Sequence, residues 1–149
     1  MAGKSSFDVD NPTALTDLFK ELEDPERMES ALRKGAAEAA TVFKREIVLR
    51  APVRHGYLRD SASVVYVPEE SLKGKVAVYE TVFVGTAPKQ PNGKPGMRNS
   101  DVARWDEFGT SKQAAEPFVR PAFDAKKEDA ATACANKILE VLTDGGQNS

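Results

Sequence analysis

Apolar residues recur at helical spacing in four parts of the chain, and each part predicts a helix. A short helix is expected at 13–22 and a long one from Pro25 to about Arg50. A helical turn is expected at 101–108, and a last helix from near Pro121 to about Leu142. The predicted apolar stripes, in chain order, are Ala14, Leu15, Leu18, Phe19 and Leu22; Met28, Leu32, Gly35, Ala36, Ala39, Phe43 and Ile47; Val102, Trp105 and Phe108; Phe123, Ala130, Cys134, Ile138 and Val141.

Capping residues mark the ends of the predicted helices. Asp24 can cap the long helix, because its carboxylate accepts hydrogen bonds from the first free N–H groups, and Pro25 fits the first helical position. Pro52 disfavours helical backbone at the residue before it, so the long helix should end near Arg50. Asn99 or Ser100 can cap the third helix.

Two segments, 58–67 and 76–85, show the alternation that is typical of strands. The second is apolar on both faces, which predicts that it is covered on both sides, and another subunit can supply one cover. A further short strand can come from 110–116. The pattern predicts an α+β domain in which a small antiparallel sheet packs against the long helix and the last helix.

The segment 103–124 joins the third predicted helix to the last one and contains the only Trp of the chain. Gly109 directly follows the apolar stripe, and this predicts a left-handed backbone conformation that ends the helix. Pro117 favours an extended crossing, and Pro121 suits the first position of the last helix.

The length of 149 residues suits one domain with a modest core. Residues 1–11 and 144–149 are polar and small, and flexible tails are expected there. The segment 86–100 contains three Pro and two Gly and has Met97 as its only large apolar residue, which predicts a long flexible loop. The basic residues of this loop could contact acidic surfaces of a neighbouring copy, and an idle surface loop is the alternative. They are Lys89, Lys94 and Arg98.

Small residues cluster on one side of the long helix, where another element could approach closely. They are Gly35, Ala36, Ala39 and Ala40. Close packing within the chain is the simpler interpretation, and contact with the same helix of a neighbouring subunit is the alternative. Together with the two apolar faces of the second strand, these residues predict assembly into a ring.

Charge and cysteine content exclude several classes of protein. The formal net charge is −2, so general affinity for nucleic acid is not implied. One Cys cannot form an internal disulfide, and neither an apolar run of membrane-spanning length nor a signal peptide is found. A soluble protein made in a reducing cytoplasm, with no membrane partner, is the simplest interpretation.

Candidate catalytic chemistry is sparse. His55 is the only histidine and lies between Arg54 and Gly56 with no acidic neighbour in sequence, so a structural or exposed histidine is favoured over a catalytic one. Cys134 lies on an apolar stripe, where an inert thiol is expected. No spacing of His, Cys or carboxylates suggests a metal site, and no glycine-rich phosphate motif is present. We therefore predict no catalytic residue, no metal and no cofactor, and a protein that is not an enzyme.

Two motifs resemble those of a family of small neck and tail-completion proteins of long-tailed bacteriophages. The first motif covers 51–53 and 56–61, and the second covers 107–110 and 117–123. Their main residues are Pro52, Gly56, Leu58, Arg59, Glu107, Phe108, Gly109, Thr110, Pro117, Phe118, Arg120 and Pro121. The resemblance spans roughly residues 28–142, and it departs at Arg54 and His55, where the family more often has a small or acidic residue.

The resemblance implies a structural protein of the virion, located at the head–tail junction and assembled in the host cytoplasm. It would form a homo-oligomeric ring, a hexamer if it matches the symmetry of a tail tube, and would join the DNA-filled head to the tail. Its partners would be other neck, head-closure and tail-terminator or tail-tube proteins. Genomic DNA would pass through the lumen without specific binding. A tail-terminator ring is the alternative within this class.

Basic residues cluster around the first motif, at Arg50, Arg54, His55 and Arg59. They could contact acidic residues of a neighbouring subunit, which we favour, or face DNA. Fixed cations would retard a passing duplex, because each phosphate contact would have to be broken. A nucleic-acid-binding module that uses the basic loops is the alternative outside the structural class. In the second motif, Glu107 is a candidate partner for Arg120.

Overall fold

A computed structural model describes Lys20, residues 23–53 and residues 56–144 of the chain. Its elements are α1 (Pro25–Arg50), α2 (Tyr57–Asp60), β1 (Ala62–Tyr66), β2 (Tyr79–Phe83), α3 (Asn99–Phe108) and α4 (Val119–Asp144), with a short 3-10 turn at Pro68–Glu70 after β1. Long helices packed beside a two-stranded antiparallel sheet confirm the predicted α+β class. The tail at 1–11, residues 145–149 and, apart from Lys20, the helix predicted at 13–22 lie outside the described residues.

Helix α1 begins and ends where its capping residues predict. Asp24 adopts extended backbone, and its Oδ1 accepts hydrogen bonds from the N–H groups of Glu26 at 3.0 Å and Arg27 at 3.4 Å. Pro25 occupies the first helical position. Ala51 closes the other end by donating its N–H to the carbonyl of Ile47 at 2.8 Å, before Pro52. Both ends of this helix therefore lie where the neighbouring capping and proline residues predict them.

The two long helices, α1 and α4, pack against each other. Gly35 of α1 is buried, and a Cβ atom at this position would lie 2.6 Å from Cγ1 of Ile138 on α4. Nearer the other end, the rings of Phe43 and Phe123 stack with centroids 5.1 Å apart. The absence of a side chain at Gly35 thus allows α1 and α4 to pack closely within the chain, as the simpler interpretation predicted.

Replacing Gly35 with Ala should lower the free energy of unfolding by about 1 kcal/mol. In an open helix the same change would gain roughly 1 kcal/mol from helix propensity. The added methyl would press on Ile138 and on the carbonyl of Cys134, and overpacking of this kind costs about 1–3 kcal/mol. Denaturant unfolding measures the sign, and the double variant G35A/I138V should recover part of the loss. A stabilised G35A would contradict the close contact.

Strands β1 and β2 form one antiparallel pair, with Ala62 opposite Phe83 at one end and Tyr66 opposite Tyr79 at the other. The sheet lies against α1, where the guanidinium of Arg33 is 4.2 Å from the centre of the Tyr66 ring. All residues of β2 are half-buried except Glu80, which is exposed. The residues that the structure describes therefore cover the faces of β2 only in part.

Both strands are shorter than predicted. Residues 57–60 are helical, because the chain turns at Gly56 and the N–H of Ser61 reaches back to the carbonyl of Tyr57 at 3.0 Å. The second strand begins at Tyr79, since the preceding segment curls into an isolated bridge between Leu72 and Val76. The segment 110–116 contributes only an isolated bridge, between Thr110 and Gln113, and no strand.

Helices α3 and α4 each begin two residues earlier than the sequence predicted. Helix α3 begins at Asn99 with Arg98 at the capping position, so neither Asn99 nor Ser100 is the cap. The Asn99 side chain is buried and donates to the carbonyl of Val84 at 2.8 Å, which ties α3 to the end of β2. Helix α4 begins at Val119, which places Pro121 third in the helix. Proline is still tolerated there, because the first four N–H groups have no partner within the helix.

The core centres on Phe118, which is 1% exposed and has the largest fully buried side chain among the described residues. Its ring meets Phe83 of β2 edge to face, with centroids 5.8 Å apart. The other buried residues of this cluster are Ile47, Ala51, Leu58, Ala103 and Ala122. They come from α1, α2, α3 and α4, so one cluster joins four helices and the sheet.

The 86–100 segment folds back on itself. A bridge joins Thr86 to Arg98, and the N–H of Ala87 donates to the carbonyl of Met97 at 2.8 Å. Near the tip, the N–H of Gln90 donates to the carbonyl of Lys94 at 3.0 Å. Backbone hydrogen bonds thus close the loop at its base and near its tip, and its last two residues already belong to α3. Its flexibility stays a prediction.

Candidate functional site

The two sequence motifs lie against each other. Leu58 from the first motif and Phe118 from the second are buried in the same core cluster. Pro52 and Tyr57 of the first motif also line one small cavity with Trp105 and Asp106 of α3, which directly precede the second motif. The candidate site is therefore a single region in which the ends of α1, α3 and α4 meet.

Arg59 of the first motif caps the C-terminal end of α1. Its Nε and Nη2 donate to the carbonyl of Ala51 at 3.2 and 3.1 Å, and Nη2 also donates to the carbonyl of Leu49 at 3.2 Å. A cation is favourable there, because the last carbonyls of a helix carry partial negative charge. Arg59 thus donates to carbonyls of its own domain, and its predicted contact with a neighbour or DNA stays a prediction.

The loop before Arg59 turns at Gly56, whose φ is 70°. A Cβ built on Gly56 would meet nothing within 4 Å, so glycine is needed here for its backbone conformation and not for lack of space. Pro52 is half-buried beside this turn. Arg54 and His55 lie outside the described residues, and their predicted contacts with a partner stay predictions.

Glu107 of the second motif caps α4 from a different helix. Its Oε2 accepts hydrogen bonds from the N–H groups of Phe118 at 2.7 Å and Val119 at 2.8 Å, and its Oε1 accepts from that of Arg120 at 3.0 Å. Carboxylates are favourable at this end of a helix, because its free N–H groups carry partial positive charge. The three donors are backbone groups, so the side chain of Arg120 is not the main partner that the sequence suggested.

The pKa of Glu107 reflects this arrangement. Burial alone would raise the pKa, but the three N–H donors and the charge of Arg120 outweigh burial, and the pKa lies below its ordinary value of 4.5. The folded protein therefore holds Glu107 ionised more strongly than the unfolded chain does. Acid should remove this cap and lower the stability of the fold.

Gly109 ends α3 and opens a tight turn. Its N–H donates to the carbonyl of Trp105 at 2.7 Å, as a helix cap should. Its φ of 75° is positive as predicted, but its ψ of 175° lies outside the left-handed helical region, where ψ is about 47°. This backbone region is essentially confined to glycine. The predicted left-handed cap is therefore corrected to a positive-φ extended one.

The turn after Gly109 is fixed by polar contacts that sequence reasoning missed. The N–H of Thr110 donates to the carbonyl of Gln113 at 2.8 Å, and the hydroxyl of Thr110 accepts from the N–H of Lys112. Asp106 is buried, and its Oδ1 accepts a hydrogen bond from Nε2 of Gln113 at 2.9 Å. The exposed Pro117 then leads into Phe118. These contacts hold the segment that carries the second motif.

Ion pairs within the chain engage some of the basic residues that were assigned to partners, although their side chains stay exposed to solvent. Arg98 pairs with Asp101 of its own chain at 3.0 Å, and Arg50 pairs with Glu46 at 2.7 Å. Lys89 and Lys94 are exposed in the 86–100 segment. The predicted contacts of Lys89, Lys94 and Arg98 with a partner stay predictions.

Two large rings of this region lie at the surface. Phe108 is 74% exposed, although the sequence placed it on the same face as Val102 and Trp105, and Phe123 is 52% exposed. Both line a groove of about 520 Å³ together with Val119 and the two arginines Arg104 and Arg120. Exposed apolar side chains grouped in this way typically mark a surface that binds another protein.

Reactive groups are few among the residues that the structure describes. Cys134 is half-buried on α4, and burial raises the pKa of its thiol, which favours the unreactive protonated form. Within 23–53 and 56–144, no three His, Cys, Asp or Glu side chains are grouped as metal ligands. No helix in the same ranges has the length and apolar character needed to cross a membrane.

Comparison of the chain with models of protein families, with curated proteins and with solved structures gave no match. The resemblance to the phage neck family thus depends on the two motifs alone. What the geometry itself defines is an α+β domain whose motif residues, above all Arg59 and Glu107, cap its helices.

Proposed function

We propose that this protein is a structural component of a tailed bacteriophage, a neck or tail-completion protein that forms a ring and joins the DNA-filled head to the tail. The main support for this proposal is that residues of both motifs lie in one region of the fold. Leu58 and Phe118 share the core, while Arg59 and Glu107 cap the helices beside it. A chance likeness of two short motifs would not require their residues to meet in this way.

The surface supports a protein that works through contacts with other proteins. Phe108 and Phe123 line an exposed apolar groove, and the described part of the chain covers β2 only partly. Other copies in a ring, arranged with the sixfold symmetry of a tail tube, would cover such surfaces. Neighbouring neck, head-closure and tail-tube proteins would be the further partners, with Lys89 and Lys94 available for acidic surfaces.

The alternatives gain less support. A nucleic-acid-binding module would use the basic loops, but Arg59 donates to helix carbonyls and Arg50 and Arg98 each have a carboxylate partner. Of the described residues in those loops, this leaves Lys89 and Lys94 as exposed cations without a carboxylate partner. DNA would accordingly pass through the ring without specific binding. A tail-terminator ring would use the same kind of surface, so it differs from a neck ring in position and not in chemistry.

Electron microscopy of phage particles provides the test. Antibodies against this protein, labelled with gold, should decorate the head–tail junction of intact tailed particles. When the gene is disrupted, we expect complete heads and tails of normal length that fail to join. Supplying the intact gene from a plasmid should restore joined particles, which controls for effects on neighbouring genes.

Three results would contradict the proposal in different ways. Gold along the tail shaft or on the capsid surface would exclude a junction protein. Tails of irregular length in the disrupted strain would favour the terminator ring, because a missing terminator leaves tube growth unchecked. If particles that lack the protein are joined and infectious, the protein is not a structural component of the head–tail junction.

A further inference from the structure

The groove beside α3 and α4 has a specific chemical character. Phe83, Val119 and the exposed rings of Phe108 and Phe123 give it an apolar lining. Its charged residues include Arg104 and Arg120, both exposed. The one acidic residue of the lining, Glu107, is already engaged with three N–H groups of α4. The groove therefore suits an apolar stripe flanked by negative charge.

The chain itself contains such a stripe before α1. Residues 13–22 are predicted to form an amphipathic helix, with Ala14, Leu18 and Leu22 in one row along it. Asp17 and Glu21 form the adjacent row, one turn apart. Residues 1–24 carry six acidic and two basic side chains, so the segment is strongly acidic. Shape and charge both match the groove.

Distance indicates which copy supplies the helix. Phe123 stacks on Phe43, which lies 18 residues after Pro25, and this places the groove roughly 27 Å along α1 from its start. A helix over 13–22 is only about 15 Å long and is joined to α1 directly at Asp24. Folded back along its own α1, its apolar stripe would stop short of the groove. A second copy has no such restriction.

We propose that the groove lined by Phe108 and Phe123 binds the amphipathic segment 13–22 of a second copy of this chain. The inference rests on the proposed function for the existence of the ring, and it adds the contact that links one copy to the next. Arg104 and Arg120 would face the acidic row at Asp17 and Glu21. Each copy offers one groove and one segment, so the contact is heterologous and can close a ring.

Cysteine cross-linking between two full-length proteins tests this contact. Both carry Cys134→Ser, and each then receives one new cysteine. One copy has Ser100→Cys in the groove, and the other has Ala14→Cys, Leu18→Cys or Leu22→Cys, which sample successive turns of the stripe. A size tag on one copy distinguishes the mixed dimer. Because each copy holds one thiol, a mixed disulfide can form only between copies.

We expect mild oxidation to give the mixed dimer with at least one stripe position. In the matched control, the groove copy carries Ala135→Cys in place of Ser100→Cys. Ala135 is an exposed position on α4 about 18 Å along the helix from Phe123, so this control should give no mixed dimer. Arg104→Glu in the groove copy should reduce the yield, and Asp17→Lys with Glu21→Lys in the other copy should restore it. Circular dichroism confirms that each variant is folded.

Failure of this inference is separable from failure of the proposed function. Absence of the mixed dimer, or a yield equal to that of Ala135→Cys, overturns the groove contact. A double-cysteine chain that links only to itself assigns the segment to its own groove and also overturns the inference. If the protein nevertheless lies at the head–tail junction, the ring uses another surface and the proposed function stands.

Discussion

Replacing Gly109 with Val should lower the free energy of unfolding by about 4 kcal/mol. Two penalties combine. A β-branched residue at φ 75° and ψ 175° is strained by about 1–3 kcal/mol. An added Cβ would also lie 2.9 Å from the N atom of Ala115 and 3.0 Å from the carbonyl oxygen of Gln113, and overpacking costs about 1–3 kcal/mol. These are backbone atoms of the turn, so neither can move without disturbing its hydrogen bonds.

Denaturant unfolding of two further variants separates strain from crowding. Gly93 has a φ of 80° but has no atom within 4 Å of a Cβ built there, so Gly93→Val should cost only the strain. Gly109→Asn distinguishes the two kinds of cap, because Asn tolerates the left-handed helical region but not the region observed. We expect it to be nearly as damaging as Val. A mild effect of Asn would show that the turn relaxes to a left-handed cap.

Sequence reasoning succeeded where structure is decided by neighbouring residues. Asp24, Pro25 and Pro52 set the ends of α1, since capping and proline restrictions act within a few residues. It failed at residues 58–60, which were included in the predicted strand but belong to a short helix after the turn at Gly56. Alternation indicates which faces are apolar, and it does not reveal where a short turn interrupts them.

The roles of the motif residues could not be obtained from sequence in the same way. Glu107 meets N–H groups 11 to 13 residues further along the chain, and Arg59 meets carbonyls 8 to 10 residues before it. Such partners are fixed by how the helices pack, which no local pattern encodes. Asp106 and Asn99 are similar cases, because a polar residue on a helix is expected to be exposed, and here both are buried.

These long-range caps explain why the second motif contains an acidic residue before its glycine. Helix α4 begins directly after the crossing at Pro117, and Glu107 reaches over from α3 to accept its first N–H groups. Gly109 then lets the chain leave α3 at an angle that brings Phe118 back to the core. One side chain and one backbone conformation thus set how α3 and α4 meet, and the exposed groove lies at that junction.

Glu107→Ala should therefore lower the free energy of unfolding by about 2 kcal/mol. It leaves three N–H groups at the start of α4 without their charged acceptor, and loss of a helix cap costs about 0.5–2 kcal/mol, with more for hydrogen bonds to a charged group. Glu107→Gln retains an acceptor oxygen and should cost less. Denaturant unfolding at pH 7 measures both, with Glu128→Gln on the exposed side of α4 as the control for loss of a carboxylate.

The pH dependence identifies the charge as the source of the effect. Because the pKa of Glu107 is lower in the folded protein than its ordinary value of 4.5, its stabilising contribution is fully present well above pH 4.5. It is lost as the pH falls from that value through the folded pKa, where the native carboxylate finally takes up its proton. The stability difference between wild type and Glu107→Gln should therefore be constant near neutrality and shrink in acid. A difference that stays the same from pH 7 to well below the folded pKa would mean that Glu107 acts through its shape and not through its charge.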